Sequence, residues 1–148
     1  VDARTVVRDL RTESQAGVTE NLQALRLQCT FGLLHLKDKP AILSCRRLAE
    51  LYPSQPDARS TALAAARVAE RHLADFALAE REYERALLLS ESVANPNLEA
   101  LLGRARCRFQ LGKIDQAKQD LRLYFNLVPK ARSDDEALDL AKKLGMSP

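Results

Sequence analysis

The side chains that most often perform catalysis or bind metal ions are few in this chain of 148 residues. The two histidines, His35 and His72, each stand near the end of a predicted helix, and neither has a Cys, Asp or Glu at metal-ligand spacing. The five glycines form no phosphate-binding loop. Acidic residues at 134–136 fit a helix N-terminus better than a catalytic pair. We therefore predict a protein that is not an enzyme and has no catalytic, metal or cofactor site.

The three cysteines are Cys29, Cys45 and Cys107, and none belongs to a CxxC pair or a Cys/His cluster. Cys29 and Cys45 are expected on two antiparallel helices, about equally far from a turn near Asp38, so a disulfide between them is geometrically possible. The favoured interpretation is that all three are small buried apolar side chains. The redox state of Cys29 and Cys45 stays open.

Basic residues do not indicate nucleic-acid binding. The net charge is only +3, and aromatic residues, at 5%, are too few to stack on bases. Glutamates interleave with the arginines, a pattern typical of solvated helix faces. The arginine pairs in question are four residues apart, at 67 and 71, 81 and 85, and 104 and 108.

The composition is that of a folded chain, with 46% hydrophobic and 29% charged residues. No apolar run approaches the ~18 residues that cross a membrane, so we expect no direct membrane insertion. The first residues lack the apolar core of a signal peptide. This sequence also lacks an initiator methionine, so we expect a fragment or processed product whose parent protein could be membrane-anchored. Its localisation is open between cytoplasm and periplasm, and its Ala- and Arg-rich usage is typical of a bacterial source.

No segment alternates apolar and polar residues as a β-strand does, so we expect helices to carry all of these residues. Predicted helix starts are Thr19, Asp57 or Ser60, Asn95 followed by Pro96, and a capping box from Ser133. Gly112 is predicted to end one helix in a left-handed conformation. The helices are predicted at 2–13, 19–37, 40–52, 57–72, 76–91, 96–111, 114–127 and 134–144.

Two of these helices share a pattern. Ala117 is small where two helices must cross closely, Leu121 and Tyr124 follow at +4 and +7, and Pro129 follows at +12. The same places 38 residues earlier hold Ala79, Tyr83 and Ala86. This resembles the second half of a tetratricopeptide repeat (TPR), a helix–turn–helix unit of about 34 residues. The spacing is longer than in that family, and leucines, Leu63 and Leu101, replace its early aromatic residue. A related hairpin repeat and an irregular bundle are the alternatives.

The resemblance implies an all-α fold, a right-handed solenoid in which hairpins stack along one axis. The hairpins would be 19–53, 57–92 and 95–129, with an N-terminal helix in 1–16 and a capping helix at 133–145. All would form a single domain, 1–148.

In TPR proteins the first helix of each pair lines a concave groove that binds a protein or peptide. The resemblance implies a groove that is apolar at one end and cationic at the other, suited to an amphipathic helix or an acidic-apolar segment. The Lys and Asn clamp of chaperone-binding TPR domains is missing. An alternative is that helix 2–13 folds back into this groove. The implied groove residues are Leu27, Gln28, Phe31, Leu34, His35, Val68, Arg71, His72, Leu102, Arg106, Phe109 and Gln110.

The functional hypothesis is a non-catalytic protein–protein interaction scaffold in a larger assembly, such as a bacterial envelope, secretion or polysaccharide-export complex. One alternative is a regulatory helical domain of an enzyme that lies outside these residues. Another is self-association, giving a homo-oligomer, through Val6, Val7 and Leu10 or through an uncapped end of the solenoid.

Overall fold

The computed structural model describes residues 2–15, 21–90, 95–129 and 135–146, and every regular element in these ranges is helical. The predicted all-α class is therefore confirmed for the described residues. A π-helical segment, Gly32–Leu36, continues the second helix. The α-helices are α1 (Ala3–Gln15), α2 (Leu22–Phe31), α3 (Lys39–Leu51), α4 (Pro56–Arg71), α5 (Phe76–Leu88), α6 (Leu98–Gln110), α7 (Ile114–Leu127) and α8 (Asp135–Lys143).

Short polar side chains begin several helices by accepting a backbone N–H of the first turn. Asn21 accepts from Ala24 N–H at 2.7 Å, and Asn97 accepts from Ala100 N–H at 2.9 Å. These caps correct two predicted starts, because α2 and α6 begin two residues or more after the expected positions. The first expected cap, Thr19, lies outside the described residues.

The start of α4 also differs from the prediction. The helix begins at Pro56, whose fixed φ suits a first helical position, and no side chain caps it. Asp57 therefore lies inside the first turn instead of capping it. The predicted capping box begins at Ser133, outside the described residues. By contrast, α7 has the predicted bounds, and Gly112 before it has the expected left-handed φ of 77°.

The chain divides into two compact units, Val1–Ala74 (unit 1) and Asp75–Pro148 (unit 2). The boundary falls at the turn inside the hairpin predicted for 57–92. The single domain and the solenoid therefore stay predictions.

In unit 1, α3 packs against both α2 and α4, and α1 packs against α2. A disulfide joins Cys29 of α2 to Cys45 of α3, with their Cα atoms 4.6 Å apart. This corrects the favoured interpretation of unbonded cysteines for these two residues, although both are buried as expected. Gly32 permits the close approach of the two helices, because a Cβ there would lie 2.5 Å from Ala41 Cβ.

In unit 2, α6 packs against both α5 and α7, and α8 packs against α7. The small residues of the repeat pattern, Ala79 and Ala117, are fully buried, as their predicted role at helix crossings requires. The fully buried ring of Tyr83 lies against Gly103 of α6, where a Cβ would be 2.4 Å from ring atoms. The sequence pattern did not single out this glycine, because its role depends on the ring that faces it.

Candidate interaction surfaces

Four of the implied groove residues of α2 and the π-helical segment remain at least partly accessible in unit 1. Leu34 is 67% exposed, His35 is exposed, and Leu27 and Phe31 are half-buried. The rings of Phe31 and His35 contact each other, with centroids 4.5 Å apart. This end of the helix therefore presents an aromatic and aliphatic patch.

The C-terminal end of α4 adds the Arg71 guanidinium and the His72 imidazole to the same end of unit 1. Because α3 is antiparallel to both neighbours, α2 and α4 run in the same direction, and Arg26 of α2 bonds Asp57 at the start of α4 at 2.6 Å. The opposite ends of these two helices hold His35 and the exposed pair Arg71 and His72. We call Phe31, Leu34, His35, Arg71 and His72 the unit 1 surface.

Other implied groove residues lie in the interior. Gln28 is 2% exposed, and its amide oxygen accepts a hydrogen bond from the Ser44 hydroxyl at 3.1 Å. Val68 and Leu102 are also buried. In this structure these three side chains pack within the protein and offer nothing to a partner.

In unit 2 the implied groove face of α6 is covered by the chain itself. The Arg106 guanidinium bonds the Glu136 carboxylate of α8 at 2.9 Å. Leu102 and Phe109 pack in the same apolar cluster as Leu140 of α8. Arg106 is therefore part of a helix–helix contact, while Gln110, at the end of α6, is exposed.

The N-terminal helix does not cover the unit 1 surface completely. It packs against α2, and Val7 is fully buried there. Arg11 donates two hydrogen bonds to Asp38, at 2.9 and 3.1 Å. Leu34 nevertheless stays exposed, so a partner can reach this part of the predicted groove.

A network of buried charges joins α5, α6 and α7 in unit 2. Asp120, 4% exposed, accepts two hydrogen bonds from Arg104 at 2.8 and 3.1 Å and one from Arg108 at 2.9 Å. Glu80 accepts from Arg108 at 3.0 Å and from Lys113 at 2.7 Å. Each carboxylate therefore bonds two cations, as buried charges require.

The network corrects one sequence interpretation. Arg104 and Arg108, predicted on a solvated face, are mostly buried because the acids of neighbouring helices face them. Burial raises the pKa of Glu80, but hydrogen bonds and charges from Lys113 and Arg108 outweigh it and hold the pKa below its ordinary value. In the sequence, the i,i+4 spacing showed that the two arginines share one helix face. It could not identify Asp120 and Glu80 as their partners.

A pocket of about 350 Å³ opens between α5, α6 and α7 in unit 2. Arg104 and Leu101 line it from α6, and Leu101 also belongs to the buried apolar cluster that contains Leu102 and Leu140. The sequence analysis did not predict this pocket. Its apolar lining consists of Leu87, Leu88, Pro96, Leu101 and Leu123.

Within the described ranges, no three or more His, Cys, Asp or Glu side chains are grouped so that they could hold a metal ion. In the same ranges, none of the helices combines the length and the apolar character that membrane crossing requires.

Comparison with known proteins found no matching family model, no matching curated protein and no matching solved structure. The resemblance to TPR proteins therefore continues to depend on the sequence pattern.

Proposed function

We propose that this chain is a non-catalytic protein–protein interaction scaffold, built as a TPR-like solenoid and belonging to a larger assembly. A bacterial envelope, secretion or polysaccharide-export complex is the setting that we favour. The observation that carries the proposal is the accessible unit 1 surface, where Leu34 is 67% exposed beside the contacting rings of Phe31 and His35. Accessible apolar patches next to polar residues are typical of binding surfaces.

The buried positions of the repeat pattern support the solenoid part of this proposal. Ala79 and Ala117, which are equivalent in the pattern, are both fully buried. The residues four places later, Tyr83 and Leu121, are fully buried as well. Equivalent residues thus have equivalent packing roles, which is what a repeat requires.

The chemistry of the unit 1 surface favours an acidic partner. Arg71 is exposed, and His35 and His72 add further basic side chains at the same end. A partner segment with apolar side chains could cover Phe31 and Leu34 while its carboxylates approach Arg71. An amphipathic helix with an acidic flank or an extended acidic-apolar segment has this character.

Capture of the partner from a native extract, followed by mass spectrometry, tests the proposal. Arg71→Glu and Leu34→Asp should each lose the captured protein while retaining helical circular dichroism. Lys142→Glu reverses an exposed charge on α8 and serves as the matched control, which should retain it. Arg106→Glu is unsuitable as a test because Arg106 bonds Glu136. Retention by both unit 1 variants would contradict the proposal.

A further inference from the structure

The Cys29–Cys45 disulfide lies in the apolar interior of unit 1, where both cysteines are fully buried. Ile42 and Leu48 stand three residues before and after Cys45, share its face of α3, and are fully buried as well. Thiol–disulfide exchange requires a thiolate to attack a sulfur atom directly, so its rate depends on access to that sulfur. The folded chain therefore protects this bond from cellular thiols.

The packing of α2 against α3 also closes the space next to the bond. A Cβ on Gly32, one turn after Cys29, would lie 2.5 Å from the Cβ of Ala41, which is one turn before Cys45. Leu33, also one turn after Cys29, is buried. The two helices must separate before an oxidant or a reductant can contact either sulfur.

The same burial restricts how the bond can form. Two thiols become a disulfide by losing two protons and two electrons. An oxidised thiol–disulfide oxidoreductase accepts them: one cysteine attacks the disulfide of the enzyme, the second cysteine attacks the resulting mixed disulfide, and the enzyme leaves as a dithiol. This exchange needs accessible cysteines, so it must precede the packing of α2 against α3.

The positions of the cysteines along the chain suit such early oxidation. Cys29 and Cys45 are separated by 16 residues, whereas Cys107 lies much further along the chain. A short loop closes at a lower entropic cost than a long one, so the first two cysteines meet more readily in the unfolded chain. Cys107 is fully buried in unit 2, and its burial prevents mispairing once the chain has folded.

We infer that a thiol–disulfide oxidoreductase joins Cys29 to Cys45 while the chain folds, and that the protein works in an oxidising compartment such as the bacterial periplasm. Disulfides form and persist in such compartments, whereas the cytoplasm of mesophiles keeps thiols reduced. The disulfides that do form in that cytoplasm are usually transient switches, which need accessible sulfurs. Two fully buried cysteines do not fit that use. The inference goes beyond the proposed function, because it concerns where the chain folds and requires no partner.

Differential alkylation in cells of the source organism tests the inference. Acid quenching preserves the redox state, a first maleimide in denaturant marks the thiols, and a second, heavier maleimide after reduction marks the cysteines that were oxidised. Peptide mass spectrometry should find the second label on nearly all Cys29 and Cys45 and the first label on Cys107. Finding the first label on Cys29 and Cys45 would overturn the inference.

Expression of the full chain in a bacterial host compares the two compartments directly. With a cleavable signal peptide the chain should contain the bond, and without one the same chain should retain thiols at all three cysteines. The exported Cys107→Ala variant is the matched control and should still contain the bond, because Cys107 takes no part in it. Equal formation of the bond in both compartments would also overturn the inference.

Reduction kinetics of the purified, oxidised chain test whether folding protects the bond. Dithiothreitol alone should reduce it at least about a hundredfold more slowly than dithiothreitol in guanidinium chloride, because the helices must open first. Reduction of the folded chain within about tenfold of the denatured rate would identify an accessible redox switch and contradict the inference. Failure of the unit 1 proposal would leave all three measurements unaffected, because none of them uses a partner.

Discussion

Unit 1 contains a covalent bond between two helices, whereas unit 2 contains a network of buried ion pairs. In unit 1 a covalent bond between Cys29 and Cys45 fixes α2 to α3. In unit 2 the buried Asp120 and Glu80 connect α5, α6 and α7 through ion pairs with arginine and lysine side chains. The first kind of connection depends on the redox conditions, whereas the second depends on the ionisation of its members.

The two units also differ in which helix surfaces remain accessible to a partner. Unit 1 retains part of its predicted groove, with Leu34 exposed. Unit 2 covers the corresponding face of α6 with α8, and its pocket opens between α5, α6 and α7. The neighbouring helices therefore decide which part of a predicted groove face stays accessible.

Removal of the Asp120 carboxylate should have the largest effect on the free energy of unfolding, and the effect should be in unit 2. Asp120→Ala leaves Arg104 and Arg108 without their shared buried partner, and breaking a buried ion pair costs about 3–5 kcal/mol. Urea unfolding, with hydrogen exchange to resolve the two units, should show this loss in unit 2. Asp139→Ala removes an exposed pair with Lys143 and should cost less than about 1 kcal/mol. Equal effects of the two variants would show that the buried network does not stabilise unit 2.

Removal of the disulfide should have the next largest effect, in unit 1. The bonded cysteines are 16 residues apart, and closing a loop of about 15 residues contributes about 3 kcal/mol. Cys29→Ala with Cys45→Ala, or a reductant, should therefore lower the thermal stability of unit 1. Maleimide labelling in denaturant should modify Cys107 before reduction and all three cysteines afterwards. Labelling of Cys29 without reduction would disprove the bond.

Gly103→Ala should destabilise unit 2 by about 1–3 kcal/mol through overpacking against the Tyr83 ring. At an uncrowded helical site the same change would stabilise by roughly 1 kcal/mol, so the sign of the effect distinguishes the two situations. Urea unfolding measures it. Adding Tyr83→Leu to Gly103→Ala should recover part of the loss. A more stable Gly103→Ala variant would mean that α5 and α6 are further apart than described.

Lowering the pH should have the smallest effect on the stability of unit 2. Glu80 has a lowered folded-state pKa, so its contribution to stability is present above its ordinary pKa of 4.5 and is lost as the pH falls through the lower folded value. Hydrogen exchange of unit 2 between neutral pH and pH values below 4.5 should detect this loss. Glu80→Gln should remove that part of the pH dependence. An unchanged acid profile in Glu80→Gln would exclude Glu80 as a contributor.

Much of the fold was predictable because its signals are local. Apolar spacing and helix-breaking residues predicted the helices, and α7 has the predicted bounds. Small residues at helix crossings were recognisable for the same reason, as the burial of Ala79 and Ala117 shows. The starts of α2 and α6 were wrong by two residues or more, because several Asn, Asp and Thr side chains near a helix start can act as its cap.

The sites were predictable only in part. The sequence indicated which face of α2 carries Phe31 and Leu34, but it could not indicate that Gln28 would bond Ser44 in the interior. It placed Arg104 and Arg108 on one helix face without the acids that bury them. The pocket had no signal in the sequence, because its lining comes from α5, α6 and α7 together with the segment before α6.

The sequence by itself determined that this chain forms helices, where most of them begin and end, and which side of each is apolar. The tertiary structure decided that Cys29 meets Cys45, that Asp120 meets two arginines, and that α8 covers one face of α6. The physical reason is the distance along the chain over which each kind of interaction acts. Backbone propensities and turn-to-turn periodicity act over a few residues, whereas each of these contacts joins different helices and exists only once those helices have packed.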